Sequence, residues 1–500
     1  TSLSKSSSFG VSLKINSPLI AGIQAATSLT KTATSVGSAR TQAVAGVAAG
    51  LAVANSVDAA KDAVGAVKGV KDIAGGLKSL SNLGSVTASV GFSKSKSTSA
   101  STDQTVVGST IAGGDVNIIA RGAGDQSTIN VIGSSVTATR DLTLSATGSV
   151  SFTSAQEIDT STSKNKSVGV DIGVTISASG LSPNASLNLG KGNSNGRDVT
   201  NIESVLSAGG TARVVTPGAL TLEGAQLSGN RVEVQAGSLA ITSQQDTSVF
   251  KSKQTNVGVS VSADLKNADK SATNKSGFSG AGASLSFGQT KQSGDFASVQ
   301  EQSGINAGAG GFDIKVAGVT SLTGGVIAST ADAANNQLTT GTLSATDLTN
   351  REKFKASSIN LSASISGIGA PRQPGGSGGN AEQVPADGKG NPSQGGNRTG
   401  TTAGLRTGIG TIAAGAPSVA NASGSQSSTT VSAIATGGIT VTSGDTASLG
   451  VAQTISRDTS AANEALTKQF TDAKRADIAQ GFAAAQALTQ QVSVFFNNRA

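Results

Sequence analysis

Along much of the chain, apolar and polar residues alternate in short runs, and the runs recur in sets divided by glycine-rich corners. From Val107 the chain reads VGSTIAGGDVNIIARG, from Ile132 IGSSVTATRDLTLSATG, from Ile202 IESVLSAGGTARVVTPG, from Gly224 GAQLSGNRVEVQAG, and near Gly304 GINAGAGGFDIKVAG. Pairs such as Val116/Ile118 and Leu142/Leu144 carry the period of two that marks a strand buried on one face. The step is 21 residues from Ser207 to Ser228 and 19 from Leu220 to Leu239, which suits one coil of a β-solenoid. A lone coil would lose more in backbone entropy than its few buried aliphatics return. The pattern therefore predicts stacked coils, each pairing with the coils above and below. Gly113, Gly209 and Gly229 fall at corners and are expected to supply positive φ there.

A longer pattern interrupts the coils. It reads SKSSSFGVSLKI at Ser4, SKNKSVGVDIGVTI at Ser163 and FKSKQTNVGVSVSADL at Phe250, with Gly169 and Gly258 separated by 89 residues. Alternate positions are apolar, as at Val168, Val170, Ile172, Val174 and Ile176, and a returning run answers each, as at Ala185, Leu187 and Leu189. Each pair predicts a long hairpin arm, apolar on one side and rich in Ser, Thr and Asn on the other. A two-stranded ribbon is marginal alone, so the arms are expected to pack on the solenoid or on each other. A fourth arm opens at Phe354. Its tip, Pro371 to about Thr430, begins PRQPGGSGGNAEQVPADGKG, cannot bury a core and reads as flexible linker. From Ser432, SAIATGGITVTSGD restores the coil pattern for one last rung.

Two stretches carry helical spacing instead. Within Asn55 to Leu77, Val57, Ala60, Val64, Val67 and Ala74 share a face, and Gly46/Gly50 and Gly65/Gly69 have spacing that lets helices approach closely. Residues 461–496 place Leu466, Phe470, Ile478, Phe482, Leu488, Val492 and Phe496 on shared faces. The expected fold is mainly β: an elongated β-helix with hairpin arms, an alanine-rich helical insertion and a C-terminal helix. The expected divisions are 1–36 (outgoing part of the first arm), 37–84 (helical insertion), 85–370 (β-helix with arms), 371–430 (Gly/Pro/Ser-rich flexible segment), 431–460 (last β rung) and 461–500 (helical junction toward a further C-terminal domain).

Composition narrows the chemistry. The 500 residues include no Cys, His, Met, Trp or Tyr, and 65 are Gly. Ser-His-Asp relays, cysteine nucleophiles and imidazole or thiolate metal sites are excluded. The chain is expected to be non-enzymatic, with no catalytic, cofactor-binding or metal-binding residue and no small-molecule substrate. Asp115, Asp141 and Asp313 are read as turn residues at equivalent repeat positions, and no GGxGxD calcium repeat occurs. Absence of Cys suits passage through secretion pores and an oxidising periplasm, and absence of Met suggests an interior or processed piece. No run of 18 apolar residues is present. Net charge is +7 from 37 basic and 30 acidic residues. The lysines lie singly among Ser and Thr, which reads as a solvated face and not as a nucleic-acid site.

Longer motifs add a resemblance. GSTIAGGDVNIIA at Gly108, LEGAQLSGNRVEVQAGSLAITSQQDTSVFKSKQT at Leu222, ASVQEQSGINAGAGGFDIKV at Ala297 and GGVIASTADAANNQLTTGTL at Gly324 resemble the haemagglutinin repeats of filamentous haemagglutinin and contact-dependent growth-inhibition effectors. SSTTVSAIATGGITV at Ser427 and ISRDTSAANEALTKQF at Ile455 resemble the end of the repeat region in the growth-inhibition branch. The resemblance implies a secreted, outer-membrane-associated location and an effector domain beyond Ala500. It also implies an outer-membrane secretion partner, a receptor on a target-cell or host surface, and transient contact with the target-cell envelope. Toxin presentation or translocation is the leading expectation and adhesion to cell surfaces the alternative.

Overall fold

The computed structural model describes residues 2–16, 27–28, 42–43, 45–49, 51–52, 86–177, 180–266, 278–368, 405–407, 410–415 and 417–497. Their strands form a 13-stranded parallel sheet and a 10-stranded antiparallel one. The parallel sheet is a three-sided β-helix. Its first coil is built from Thr110–Gly113, Val116–Ala120 and Ile129–Ile132, and its second from Ser135–Ala138, Leu142–Ala146 and Val150–Thr153. The long strands Ser204–Glu223, Ala225–Thr242 and Gly304–Thr323 each wrap a whole coil, breaking register at the two corners. A sixth coil uses Val326–Ser329 and Asn336–Thr346, and a seventh Ala433–Ile434 and Gly438–Val441.

Stacking follows from alternation, because every inward residue lies directly above its counterpart in the previous coil. One column runs Val136, Leu206, Leu227, Ile305, Ile327, Ile434, and a second Leu144, Val214, Val234, Ile314, Leu338, Ile439. A third passes through Phe152, Leu222, Ile241 and Leu322. These side chains belong to one continuous core. In the last coil the helix Thr446–Thr454 stands where the third side would be, and Val451 and Ala452 pack against the core. Its N-cap Asp445 accepts a 2.8 Å bond from the Ser448 amide, satisfying a donor that the helix leaves free.

One corner of the β-helix decides where arms emerge. Between the first and second, third and fourth, and fifth and sixth coils it is closed by Gly133, Gly224 and Gly324, at φ of 52°, 61° and 55°. Only glycine takes that conformation without strain. At the alternate passages the same corner opens into an arm: Ala155–Ser177 with Gly180–Ile202, Asp246–Lys266 with Phe278–Ser298, and Leu348–Ile368 with Ser418–Thr430. A first arm, Ser2–Asn16 with Val86–Gln104, precedes the first coil.

The arms pair with each other, strand to strand and antiparallel, in chain order from Ser2–Asn16 through Leu348–Ile368. This is the second of the two packings expected, and spacing explains it. Coils and strands both repeat at about 4.8 Å, so two coils rise by the width of one two-stranded arm. One arm per two coils thus gives a sheet without gaps. The unit of two coils and one arm is the 89-residue period.

Several expectations change. Gly113, Gly209 and Gly229 do not have positive φ; a side chain at Gly209 or Gly229 would instead run into the backbone of Thr139 or Arg231, so close approach is their constraint. The segment 371–430, expected to be flexible throughout, contains the strand Ser418–Thr430, which pairs along Leu348–Asn360. Its small polar residues gain from hydrogen bonding more than from burial, which hydropathy does not register. The C-terminal helix spans Asp472–Asn497, so Leu466 and Phe470 precede it. Residues 369–404 and most of the helical insertion, including Asn55 to Leu77, lie outside the described residues. Of the described part of the insertion, Ala48, Ala49 and Ala52 pack against Ala487 and Leu488 of the C-terminal helix.

Candidate functional site

The corner aspartates serve structure, and not all as expected. Asp115 pairs with Arg140, and that hydrogen bond holds its carboxyl below the ordinary carboxylate range. Asp141 accepts a 2.7 Å bond from the Thr211 amide in the next coil. Both carboxylates therefore bridge neighbouring coils, where a local turn bond was expected. Asp313 is not equivalent to them. Phe312 takes the inward position aligned with Val232, leaving Asp313 beside Glu233 and 2.6 Å from Lys315. Among the described residues no group of three His, Cys, Asp or Glu side chains is arranged to hold a metal.

Buried serines that sequence reading missed line the corner where arms leave. Ser204 Oγ donates to the Thr153 carbonyl at 2.7 Å, Ser243 Oγ to the Gly324 carbonyl at 2.6 Å, and Ser432 Oγ to the Thr346 carbonyl at 2.8 Å. Each lies at the base of an arm and gives a second donor to a carbonyl that already accepts one, from the Gly133 amide at Thr153, from Gln302 Nε2 at Gly324 and from the Gly324 amide at Thr346. The signal was present as a Ser at or next to a coil end, since Ser204 opens the third coil, Ser243 follows the fourth and Ser432 precedes the seventh. Beside this corner, Glu203 accepts from Gln226 at 3.1 Å, and burial, followed by the charge of Glu301, pushes its carboxyl up to about 8. Asp246 is raised chiefly by burial, against hydrogen bonds from Asn201.

The first candidate site is the C-terminal junction. Between the cap helix Thr446–Thr454 and the terminal helix Asp472–Asn497, the chain crosses the bases of the last two arms. The Glu352 carboxylate, 3% exposed, accepts from the amides of Gln469 (2.9 Å) and Phe470 (2.8 Å) and from Gln426 Nε2 (2.6 Å). Fully buried Asn350 accepts from the Val299 amide at 2.9 Å and donates to Thr430 Oγ1 at 3.0 Å and the Glu464 carbonyl at 3.2 Å. The Leu466 amide donates to Ser298 Oγ at 2.9 Å. Phe470 stacks on Phe354 with centroids 4.9 Å apart and meets Phe250 edge-on at 6.2 Å, while the Arg475 guanidinium lies 4.0 Å above the Phe250 ring. Gly294 lies beneath Phe470, where any side chain would displace the ring.

The second candidate is the opposite face of the arm sheet. Directly paired residues share a face, so the registers can be read across the strands. One row is Lys5, Thr98, Lys164, Asn193, Lys253, Lys291, Ser357. The next is Ser7, Lys96, Lys166, Lys191, Thr255, Gln289, Ile359. Lys251, Lys253, Lys291 and Lys355 also line a shallow groove of about 530 Å³. Farther from the solenoid the rows become apolar: Phe9, Lys94, Val168, Leu189, Val257, Phe287, Leu361, then Val11, Phe92, Val170, Leu187, Val259, Leu285, Ala363. Phe9 is 72% exposed, Val11 63% and Leu285 52%. Lysines scattered singly in sequence thus converge on one face, because alternation and register send them there.

Comparison with known proteins places the chain among repeat proteins. The Hemagglutinin repeat family profile matches residues 90–259. The chain is 31% identical over 479 residues to a tRNA nuclease CdiA of Yersinia mollaretii, a match covering 94% of this chain and 14% of that protein. It is 32% identical over 289 residues to a deoxyribonuclease CdiA of Dickeya dadantii, covering 56% of this chain and 8% of that protein. It is 29% identical over 350 residues to a deoxyribonuclease CdiA of Yersinia pseudotuberculosis, covering 69% of this chain and 30% of that protein. The chain therefore spans less than a third of each of these relatives. No solved structure matches.

Proposed function

We propose a function from one premise: the chain belongs to the haemagglutinin-repeat regions of the filamentous haemagglutinin and contact-dependent growth-inhibition exoproteins. On that premise it is a non-enzymatic stalk of a secreted, cell-surface protein, presenting a C-terminal effector domain and assisting its passage into a neighbouring cell. The observation that carries this reading is the junction. Glu352, Asn350 and the Phe250/Phe354/Phe470 cluster fasten residues 463–470 across the arm bases, so the helix Asp472–Asn497 leaves the rod at a fixed place. A domain attached beyond that helix would be carried in a set position relative to the arms.

The relatives support this division of labour. Two are named deoxyribonucleases and one a tRNA nuclease, yet the part resembling this chain is a minor share of each, and here it folds as a rod of stacked coils. An outer-membrane secretion partner and a target-cell receptor belong to the same proposal. The test is a growth-inhibition assay with cells displaying the uninterrupted exoprotein. Paired Glu352→Ala and Phe470→Ala changes are expected to reduce inhibition of target cells while surface display, followed by antibody, is kept. Unchanged inhibition with a released junction would sink the proposal.

A further inference from the structure

We propose that the lysine-bearing face of the arm sheet is a docking surface for an anionic lipid bilayer. Charge complementarity is the first argument. On this face, the two lysine rows from Lys5 and Ser7 to Ser357 and Ile359 contain no carboxylate, and Asp295, one row nearer the solenoid than Lys251, is already paired with Arg351 at 3.1 Å. The lysines extend from exposed strands with no partner of opposite charge in their own rows, so the face presents an uncompensated cationic band to whatever lies against it.

The apolar rows beyond that band supply the second argument and select the partner. A soluble polyanion would answer the lysines but leave Phe92, Val170, Val259 and Leu285 in water. Only a surface that is both anionic and apolar satisfies both halves. Lipid phosphates would meet the ammonium groups, and the distal rows would enter the boundary between headgroups and acyl chains. A second copy of the chain is disfavoured, because it could cover the apolar rows but, with no carboxylate in its own lysine rows, would bring nothing to answer the lysines. The junction leaves the face open: Phe470 and the terminal helix pack on Phe354, Ala356 and Ala422, whose side chains are on the other side of the sheet.

Docking is peripheral. Among the described strands Ser2–Asn16 is paired on one edge only, and an open sheet edge cannot be immersed in hydrocarbon without leaving its amides and carbonyls unpaired. The sheet therefore lies on the bilayer with this face down and does not cross it.

The test is co-sedimentation of the whole 500-residue chain with phosphatidylcholine vesicles, with and without phosphatidylglycerol. Pelleting is expected with phosphatidylglycerol present, falling at high salt, and not with phosphatidylcholine alone. The triple change Lys164→Ser, Lys166→Ser, Lys253→Ser is expected to weaken partitioning about a hundredfold, at roughly fivefold for each lysine. Removing three cations elsewhere by Lys315→Ser, Lys474→Ser and Arg121→Ser is expected to leave it unchanged. Phe92→Ser with Val170→Ser and Val259→Ser is expected to abolish the binding that survives salt. Far-UV circular dichroism checks that the exposed substitutions leave the fold intact. Equal loss in the two charge variants overturns the proposal. So does absence of pelleting with either vesicle, or tight binding of soluble polyglutamate that displaces the chain from vesicles, which would mark a general polyanion site. The assay involves no effector, so failure of the delivery reading would leave this result standing.

Discussion

Gly224 closes an arm-free corner at φ +61°, and a side chain there would overlap Ser154, the residue from which the neighbouring arm departs. Gly444 has a similar φ, +68°, but nothing within 4 Å of the place a Cβ would take. Gly444→Ala therefore carries backbone strain alone, and Gly224→Ala adds a clash in a packed corner. Thermal melts are expected to show Gly224→Ala destabilised by about 1 to 3 kcal/mol and by more than Gly444→Ala. Glu203, close by, adds a dependence on pH. Its folded-state carboxyl is raised from the ordinary 4.5 to about 8, so between those values the folded chain keeps a proton that the unfolded chain releases. Stability contributed by this site is then full below about 4.5 and declines as pH rises toward 8. Denaturant titrations should show that decline in the parent chain and a flatter profile, with higher stability at pH 8, in Glu203→Gln.

At the scale of elements, the junction is the least autonomous piece of the molecule. Its residues 463–471 have almost no regular structure of their own and are held by partners on the arms. Glu352→Ala would leave the amides of Gln469 and Phe470 without their acceptor, at about 1 to 3 kcal/mol for the buried Phe470 donor and less for Gln469, which is exposed. Hydrogen exchange is expected to accelerate at Leu466, Gln469 and Phe470 while the amides of Val232 and Val234 in the coil keep their protection. Such dependence explains what the sequence made legible. Coils and arms follow a period of two, repeated at a fixed step, and both could be read from alternation alone. The junction follows no period. Phe470 fell into a helical reading because Leu466, Phe470, Ile478 and Phe482 are spaced as on a helix, yet the aromatic partners Phe250 and Phe354 lie more than a hundred residues away in sequence. Strand Ser418–Thr430 was hidden for the reverse reason, since its pairing needs no apolar pattern. The lysine face could have been found earlier. Once the arms are aligned by their apolar positions, the parity of Lys164, Lys166, Lys191 and Lys253 already puts them on one side.

For the whole molecule, the decisive constraint is commensurability between rod and sheet. Each of the first three arms contributes two strands of the antiparallel sheet, the fourth adding Leu405–Thr407 and Gly410–Ala414 to its pair, and the solenoid must advance two coils before the next arm begins. Any change that alters this count should disturb the sheet even where every coil remains sound. Removing residues 225–243 takes out one complete coil without touching an arm, and the inward columns can rejoin, since Leu206 and Leu222 would then stack directly on Ile305 and Leu322 through the register they now share with Leu227 and Ile241. The second and third arms would, however, leave the rod one coil apart, where two strands of width need two. Removing residues 155–243 takes out two coils together with one arm, so the first and third arms would meet at the native spacing, Val86–Gln104 facing Asp246–Lys266. The longer deletion is therefore expected to be the milder. Far-UV circular dichroism should retain its β signature in both, because stacked coils are stabilised by nearest neighbours. Hydrogen exchange in the arm strands should remain slow after the 155–243 deletion and become fast after the 225–243 deletion. Equal protection of the arms in both would mean that the sheet tolerates a broken count and that the 89-residue period has another origin.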